Sequence, residues 1–122
     1  MILEQLQARV NANQPLIRRG RWVTLTFLFG ADDEDYLISI QNGAIAAISK
    51  KTLSTEVGVF SIRAARVTWL EHWQRYPKRD YHDIWSMLPK DLARLDGDIL
   101  PLIQNLQYFK DVIASLRVTE TT

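Results

Sequence analysis

The chain of 122 residues contains no cysteine. That absence excludes a disulfide framework, thiolate metal sites and thiol nucleophiles, and it fits a reducing compartment. Histidine is scarce: there are two, His72 and His82. A zinc site needs three or four ligands, so it would have to recruit both of them and carboxylates besides. Charge of one sign is not in surplus either, since fifteen Lys and Arg face fourteen Asp and Glu, a formal net charge of +1. The basic clusters are short (Arg18, Arg19 and Arg21; Lys50 and Lys51; Lys78 and Arg79), and the acidic tract Asp32-Asp33-Glu34-Asp35 follows the first of them closely in sequence. A nucleic-acid binder carries a basic surplus and a continuous stripe that tracks phosphates. Nucleic acid is therefore not an expected partner. Long apolar runs are missing as well: residues 22–29 are free of charge, but a membrane span needs roughly 20 apolar residues. Met1-Ile2-Leu3 runs straight into Glu4 and Gln5, without the basic leader and apolar core of a signal peptide. The expectation is a soluble, cytoplasmic protein that is not an integral membrane protein. Its length suits one domain of about 100–150 residues, large enough to bury roughly two-thirds of its unfolded surface.

What is present is periodic. Leu3, Leu6 and Val10 recur at helical spacing, which predicts a helix over 1–12; Asn11, Asn13 and Pro15 end it, and the chain turns at Arg18 to Arg21 around Gly20. From Trp22 the period becomes two. Val23, Leu25, Phe27 and Phe29 share one face of a strand and Trp22, Thr24, Thr26 and Leu28 the other. Gly30-Ala31-Asp32-Asp33 punctuates, and Tyr36, Ile38 and Ile40 alternate along a second strand. Asn42-Gly43 is the strongest hairpin signal in the chain, because both residues tolerate positive φ. A third strand is expected over 44–49, a connection over 50–54 and a fourth strand over 57–63. Residues 20–63 thus read as an antiparallel meander plus one more strand.

Residues 66–118 read as mainly helical. Val67, Leu70, Trp73 and Gln74 share a face, with Trp69, Trp73 and Tyr76 beside it, until Pro77 closes the helix. Asp80 has the position of an N-cap and Asp83 that of its capping-box partner. Tyr81, Ile84, Trp85 and Leu88 stripe the short helix that follows, and Pro89 stops it. A short edge strand is expected near 92–96. Beyond Gly97 and the capping Asp98, one long helix is expected to run to Val118. Ile99, Leu102, Ile103, Leu106, Phe109, Ile113 and Leu116 form its broad apolar face, and Pro101 sits harmlessly in its first turn. Strands first and helices after is an α+β layout, one sheet with helices on a single face.

Little in the chain announces catalysis. His72 is expected to be a partly exposed helix histidine. His82 beside Asp83 is a candidate general base, but neighbours on a helix point about 100° apart and cannot readily form a dyad. The serines (39, 49, 54, 61, 86 and 115) lie in no Gly-x-Ser-x-Gly elbow, and the glycines form neither a dinucleotide fingerprint nor a P-loop. No cofactor and no metal are expected. The four tryptophans are the distinctive feature. Trp69, Trp73 and Trp85 fall close together on consecutive helices, where they fill a core or line an apolar pocket.

The second half resembles a known family. Val59-Phe60-Ser61-Ile62-Arg63-Ala64-Ala65, Trp69, Asp80-Tyr81-His82-Asp83-Ile84-Trp85, Leu95-Asp96-Gly97-Asp98-Ile99-Leu100-Pro101-Leu102 and Asn105-Leu106-Gln107-Tyr108-Phe109 are similar to the short bacterial branch of the sterol-carrier-protein-2-like family. The likeness covers about residues 20 to 118 and is strongest from 57 onward. It implies a five-stranded mixed, mainly antiparallel sheet with helices over one face and an apolar tunnel between the layers. It also implies non-enzymatic binding or transfer of a fatty acyl chain, acyl-CoA or sterol-like lipid. Two departures bear on that function: Pro89-Lys90-Asp91 stands where a glycine-containing turn is common, and the extra tryptophans either line the tunnel or fill it.

Three readings make separate demands on the space between sheet and helices. A carrier walled by Trp69, Trp73, Trp85, Leu88, Ile103, Leu106 and Phe109 needs an apolar cavity of roughly 300 Å³ or more. An accessory protein that meets a homodimer or enzyme partner through its aromatic helices needs exposed apolar patches and a filled interlayer. A small hydrolase or isomerase using His82 needs a polar pocket around that ring.

Overall fold

Alternation of apolar and polar residues builds a sheet with one face covered by the helices, while Leu28 and Ser61 are also buried on the other face. The computed structural model describes residues 3–52 and 57–117. Helices α1 (Leu3–Ala12) and α2 (Gln14–Arg19) precede strands β1 (Leu25–Ala31), β2 (Glu34–Gln41), β3 (Ala44–Lys50) and β4 (Phe60–Ala64). Then follow α3 (Arg66–His72), α4 (Ile84–Met87), β5 (Ala93–Gly97), α5 (Leu100–Gln104) and α6 (Leu106–Ile113). The five strands form one sheet in the order β3-β2-β1-β4-β5. β1 and β4 are parallel, and the other neighbouring pairs are antiparallel. The fold is α+β, with a mixed, mainly antiparallel sheet.

Phe27 and Phe29 of β1, Ile38 of β2 and Ile62 of β4 are buried with Leu6, Val10, Trp69, Phe109 and Val112 of the helices in one core. On the opposite face Leu28 is level with Ser61 and Gly30 with Arg63. There Arg63 reaches Asp35 at 3.3 Å and Asp96 at 3.9 Å. The β2–β3 hairpin turns at Asn42 (φ 52) and Gly43 (φ 85), the paired positive φ of a type I′ turn. A β-carbon at Gly43 would also strike the Ile17 carbonyl, so glycine serves both the turn and the close approach of α2.

Several sequence expectations shift. Asn13 does not only stop α1: its side chain accepts from the Leu16 N–H at 3.3 Å and starts α2, with Pro15 in the first turn, where no donor is lost. β1 begins at Leu25 rather than Trp22 and extends through Gly30 and Ala31, while β4 begins at Phe60 rather than 57. The expected long helix breaks at Asn105 (φ −125, ψ 38) into α5 and α6. The Asn105 amide turns back to the Pro101 carbonyl at 3.0 Å, a local bond that competes with the helix ladder. Asp80 has a positive φ of 76 and caps nothing. Asp83 is the N-cap of α4, exchanging hydrogen bonds with Ser86 in a capping box. After α4 a 3₁₀ turn, Leu88–Lys90, ends at Asp91 with φ 57. The Leu92 N–H reaches back to Met87 O at 3.0 Å, so aspartate fills the left-handed position usually given to glycine. The expected connection at Leu53 and Ser54 and the chain end at 118–122 lie outside the described residues.

Candidate functional site

The site of interest is the layer between β1 and the helices, and β1 and α3 build it. Phe29 projects from the covered face of β1, and the α3 ring of Trp69 stacks on it with centroids 4.6 Å apart. Trp73, just past α3, lies 6.2 Å from Phe29 and 6.0 Å from Trp69. Each buried indole N–H is satisfied: Trp69 Nε1 donates to Gly30 O and Trp73 Nε1 to Ile113 O, both at 2.8 Å. Bonded rings in contact on both sides are fixed in position as well as buried. A second cluster adjoins: Phe27 stacks on Phe60 at 5.3 Å, and Phe109 meets both edge-on at 5.6 and 5.3 Å.

α3 turns a different side to the sheet from the one its apolar spacing predicts. Val67 and Leu70 are exposed, whereas Thr68, Trp69 and His72 are buried. Two overlapping stripes compete on that helix, and the larger area of Trp69 decides between them. His72 is consequently a core residue, 1% exposed, not the partly exposed histidine expected. Its Nδ1 lies 2.9 Å from Tyr81 O and 3.1 Å from Arg117 Nη2, and a neutral ring satisfies one of these at a time. Its Nε2 is buried without a hydrogen-bond partner. Burial pushes the pKa down to about 4; the Tyr81 carbonyl opposes this and the Arg117 charge adds to it. The ring is thus neutral near pH 7. Arg117 clasps this region, donating from Nε to His72 O at 2.9 Å and from Nη2 to His82 O at 2.6 Å. No sequence pattern singled out Arg117, because its partners are main-chain carbonyls far away in the chain.

The seven residues expected to wall a cavity have different environments. Trp69, Trp73 and Phe109 are buried and Leu88 and Leu106 half-buried. Trp85 is 41% exposed and Ile103 47%; on α4 the buried positions are instead Ile84 and Met87. The structure brings Trp69 and Trp73 into one stack and assigns Phe109 to the neighbouring cluster. Clefts open on the surface among the described residues. One, of about 570 Å³, opens at the ends of β1 and β4 beside α3, with Asp32, Arg63, Thr68, Asp91 and Arg94 on its wall. Another, of about 210 Å³, lies on the opposite sheet face against Leu28, Gly58 and Ser61. None of the seven lines either.

For acid–base chemistry the geometry offers little. His82 is exposed, and the Asp83 carboxylate is spent on the Ser86 N–H at 2.9 Å and on Lys110 at 3.1 Å. Burial raises the Asp83 pKa, but the Ser86 N–H and then Lys110 outweigh it and hold the group below the usual carboxylate range. Among the described residues no group of three or more His, Asp or Glu could hold a metal ion, and no helix is long and apolar enough to cross a membrane.

No protein-family model matches the sequence, and no curated protein matches it. Solved structures do. The crystal structure of sterol carrier protein 2 superposes with a TM-score of 0.75 at 15% identity, over 96% of this chain and 94% of that one. The solution structure of a conserved hypothetical protein from Thermus thermophilus, described as possibly a sterol carrier protein, gives 0.63 at 15% identity, covering 95% and 86%. The ubiquinone synthesis protein UbiJ-SCP2 gives 0.62 at 11%, covering 93% and 85%. These superpositions span nearly the whole chain, and its five-stranded mixed sheet with helices has the sterol-carrier-protein-2-like fold.

Proposed function

We propose that this protein is a non-catalytic carrier that binds an apolar ligand, a fatty acyl chain, acyl-CoA or sterol-like lipid, between its sheet and its helices. The observation that carries the reading is the superposition on sterol carrier protein 2 across almost the full length of both chains. A fold hosts many functions, so the lining must agree as well. Its rings (Phe29, Trp69, Trp73 and Phe109) make it mainly apolar and aromatic, the composition of ligand sites. The unpaired Nε2 of buried His72 adds one polar point, suited to a ligand hydroxyl. Phe29, Trp69 and Trp73 pack against one another, so on this reading binding requires the helical cover to part and the tryptophans to yield room. Leu88 and Leu106 would line the margin of the opened space, with Trp85 and Ile103 at its mouth.

The stacked, hydrogen-bonded rings favour a second reading, in which the interlayer stays closed and the protein acts through its surface, as a homodimer or beside an enzyme. Native mass spectrometry of freshly purified protein, with extraction and rebinding followed by tryptophan fluorescence, separates the two. A co-purifying species of lipid mass that rebinds with quenching supports the carrier. A clean apo mass, with no quenching by fatty acids, acyl-CoAs or sterols, overturns it in favour of the surface reading.

A further inference from the structure

The lower rim of the sheet, where β1 and β4 begin and β2 turns into β3, gathers features that the interlayer does not explain. The Gly43 N–H donates to Val23 O at 3.1 Å, which holds residues 20–23 beside the hairpin. Tyr108 lies against Gly20 and donates its hydroxyl to Gly43 O at 2.6 Å. At the other edge of the rim the Asp98 N–H donates to Val59 O at 3.0 Å. The chain from Asp98 to Tyr108, which contains α5, therefore crosses this end of the sheet from β5 to the hairpin.

Along that rim large apolar side chains face solvent: Trp22 is 84% exposed, Leu100 56%, and Ile103, one turn on from Leu100, 47%, with partly exposed Val59 nearby. Arg18, Arg19 and Arg21 all precede Trp22 within four residues and are exposed. The Arg21 guanidinium lies 5.4 Å from the Trp22 ring centroid and donates to Arg18 O at 2.8 Å. Arg19 pairs with Asp111, and the Asp98 carboxylate accepts from the Leu100 N–H at 3.2 Å. Neither Arg18 nor Arg21 meets a carboxylate among the described residues.

The opposite rim differs in kind. There Glu34 pairs with Lys50 at 3.2 Å and Arg66 at 2.8 Å, and Asp35 with Arg63, so these two carboxylates are met by cations of the molecule itself. β1 separates the two rims by seven residues, more than about 20 Å at the rise of a strand. The acidic tract close to the arginines in sequence is thus remote from them in space.

We propose that the lower rim docks on the surface of a bilayer containing anionic phospholipid, with Trp22, Leu100 and Ile103 seated at the headgroup level and Arg18 and Arg21 paired to lipid phosphates. Tryptophan prefers that interface because its ring is apolar and its N–H polar, and arginine binds phosphate in a fork. This inference stands on the surface alone, whether or not the interlayer takes a ligand.

The test is co-sedimentation of the full chain with vesicles of phosphatidylcholine alone and of phosphatidylcholine mixed with phosphatidylglycerol. Binding is expected only to the mixed vesicles, weakening as salt rises, with a blue shift of tryptophan emission that Trp22→Ala removes. The double variant Arg18→Glu with Arg21→Glu should weaken binding more than tenfold, at about fivefold for each basic charge lost and more on reversal. Leu70→Ala, exposed on α3 away from the rim, should bind as the parent does, and circular dichroism checks that every variant is folded. Equal binding to both vesicle types, no binding, or full binding by the rim variants would each overturn the proposal. So would a concentration-dependent dimer abolished by Trp22→Ala, which would assign the rim to a second copy of the chain.

Discussion

The tryptophans under α3 and the tryptophan at the lower rim are the same residue put to opposite uses. Trp69 and Trp73 have their rings stacked on Phe29 and their N–H groups bonded to carbonyls; Trp22 stands in solvent with Arg21 over it. Trp85, 41% exposed, lies between the extremes. A large ring stabilises the fold only where neighbours close around it and its polar atom is paired. Where neither holds, it is available to something outside the molecule.

The strongest way to break the comparison is to remove a ring from each region. Trp69→Ala should cost about 3–5 kcal/mol, the usual range for emptying a buried aromatic site, read as a lower urea midpoint. A loss below about 1 kcal/mol would mean that the helical cover is already loose.

Next comes pH. His72 has a folded pKa of about 4 against 6.5 ordinarily, so below pH 6.5 the unfolded chain takes up a proton that the folded one refuses. Stability should therefore fall as pH drops from about 6.5 toward 4, by about 3 kcal/mol from this group. His72→Gln, which cannot titrate, should flatten that part of the pH–stability curve.

Tyr108→Phe tests the join between the two regions, since its hydroxyl is the buried donor to Gly43 O. The loss should be about 1–3 kcal/mol, the cost of leaving a buried acceptor unpaired. Burial also holds the Tyr108 pKa above its usual value, so its ring should not titrate with the exposed tyrosines in an alkaline ultraviolet titration.

The smallest effect is expected at the rim. Trp22→Ala should change stability by less than about 0.5 kcal/mol while removing vesicle binding. A large destabilisation there would erase the contrast.

How much of this was legible in the sequence varies by element. The alternation around Phe27 and Phe29, the Asn42-Gly43 turn and the Gly97 stop are local signals, and the sheet follows them to within a few residues. α3 was not legible, because Val67 with Leu70 and Trp69 with Trp73 are both acceptable helical stripes. The break at Asn105 escaped because an apolar pattern can continue across a change of helix axis. Of the expected wall, Trp69, Trp73 and Phe109 are interior, but spacing alone did not separate them from exposed Trp85 and Ile103.

By itself the sequence determined the α+β layout, the strands and their principal turn, and the absence of thiol chemistry, because these depend on residue type and on spacing within a few positions. Only the tertiary structure decided that β4 inserts parallel beside β1, that His72 is buried and neutral, and that the acidic tract and the arginines occupy opposite ends of the sheet. Each of these depends on which distant segments meet, and chain order records neighbours along the backbone rather than across it.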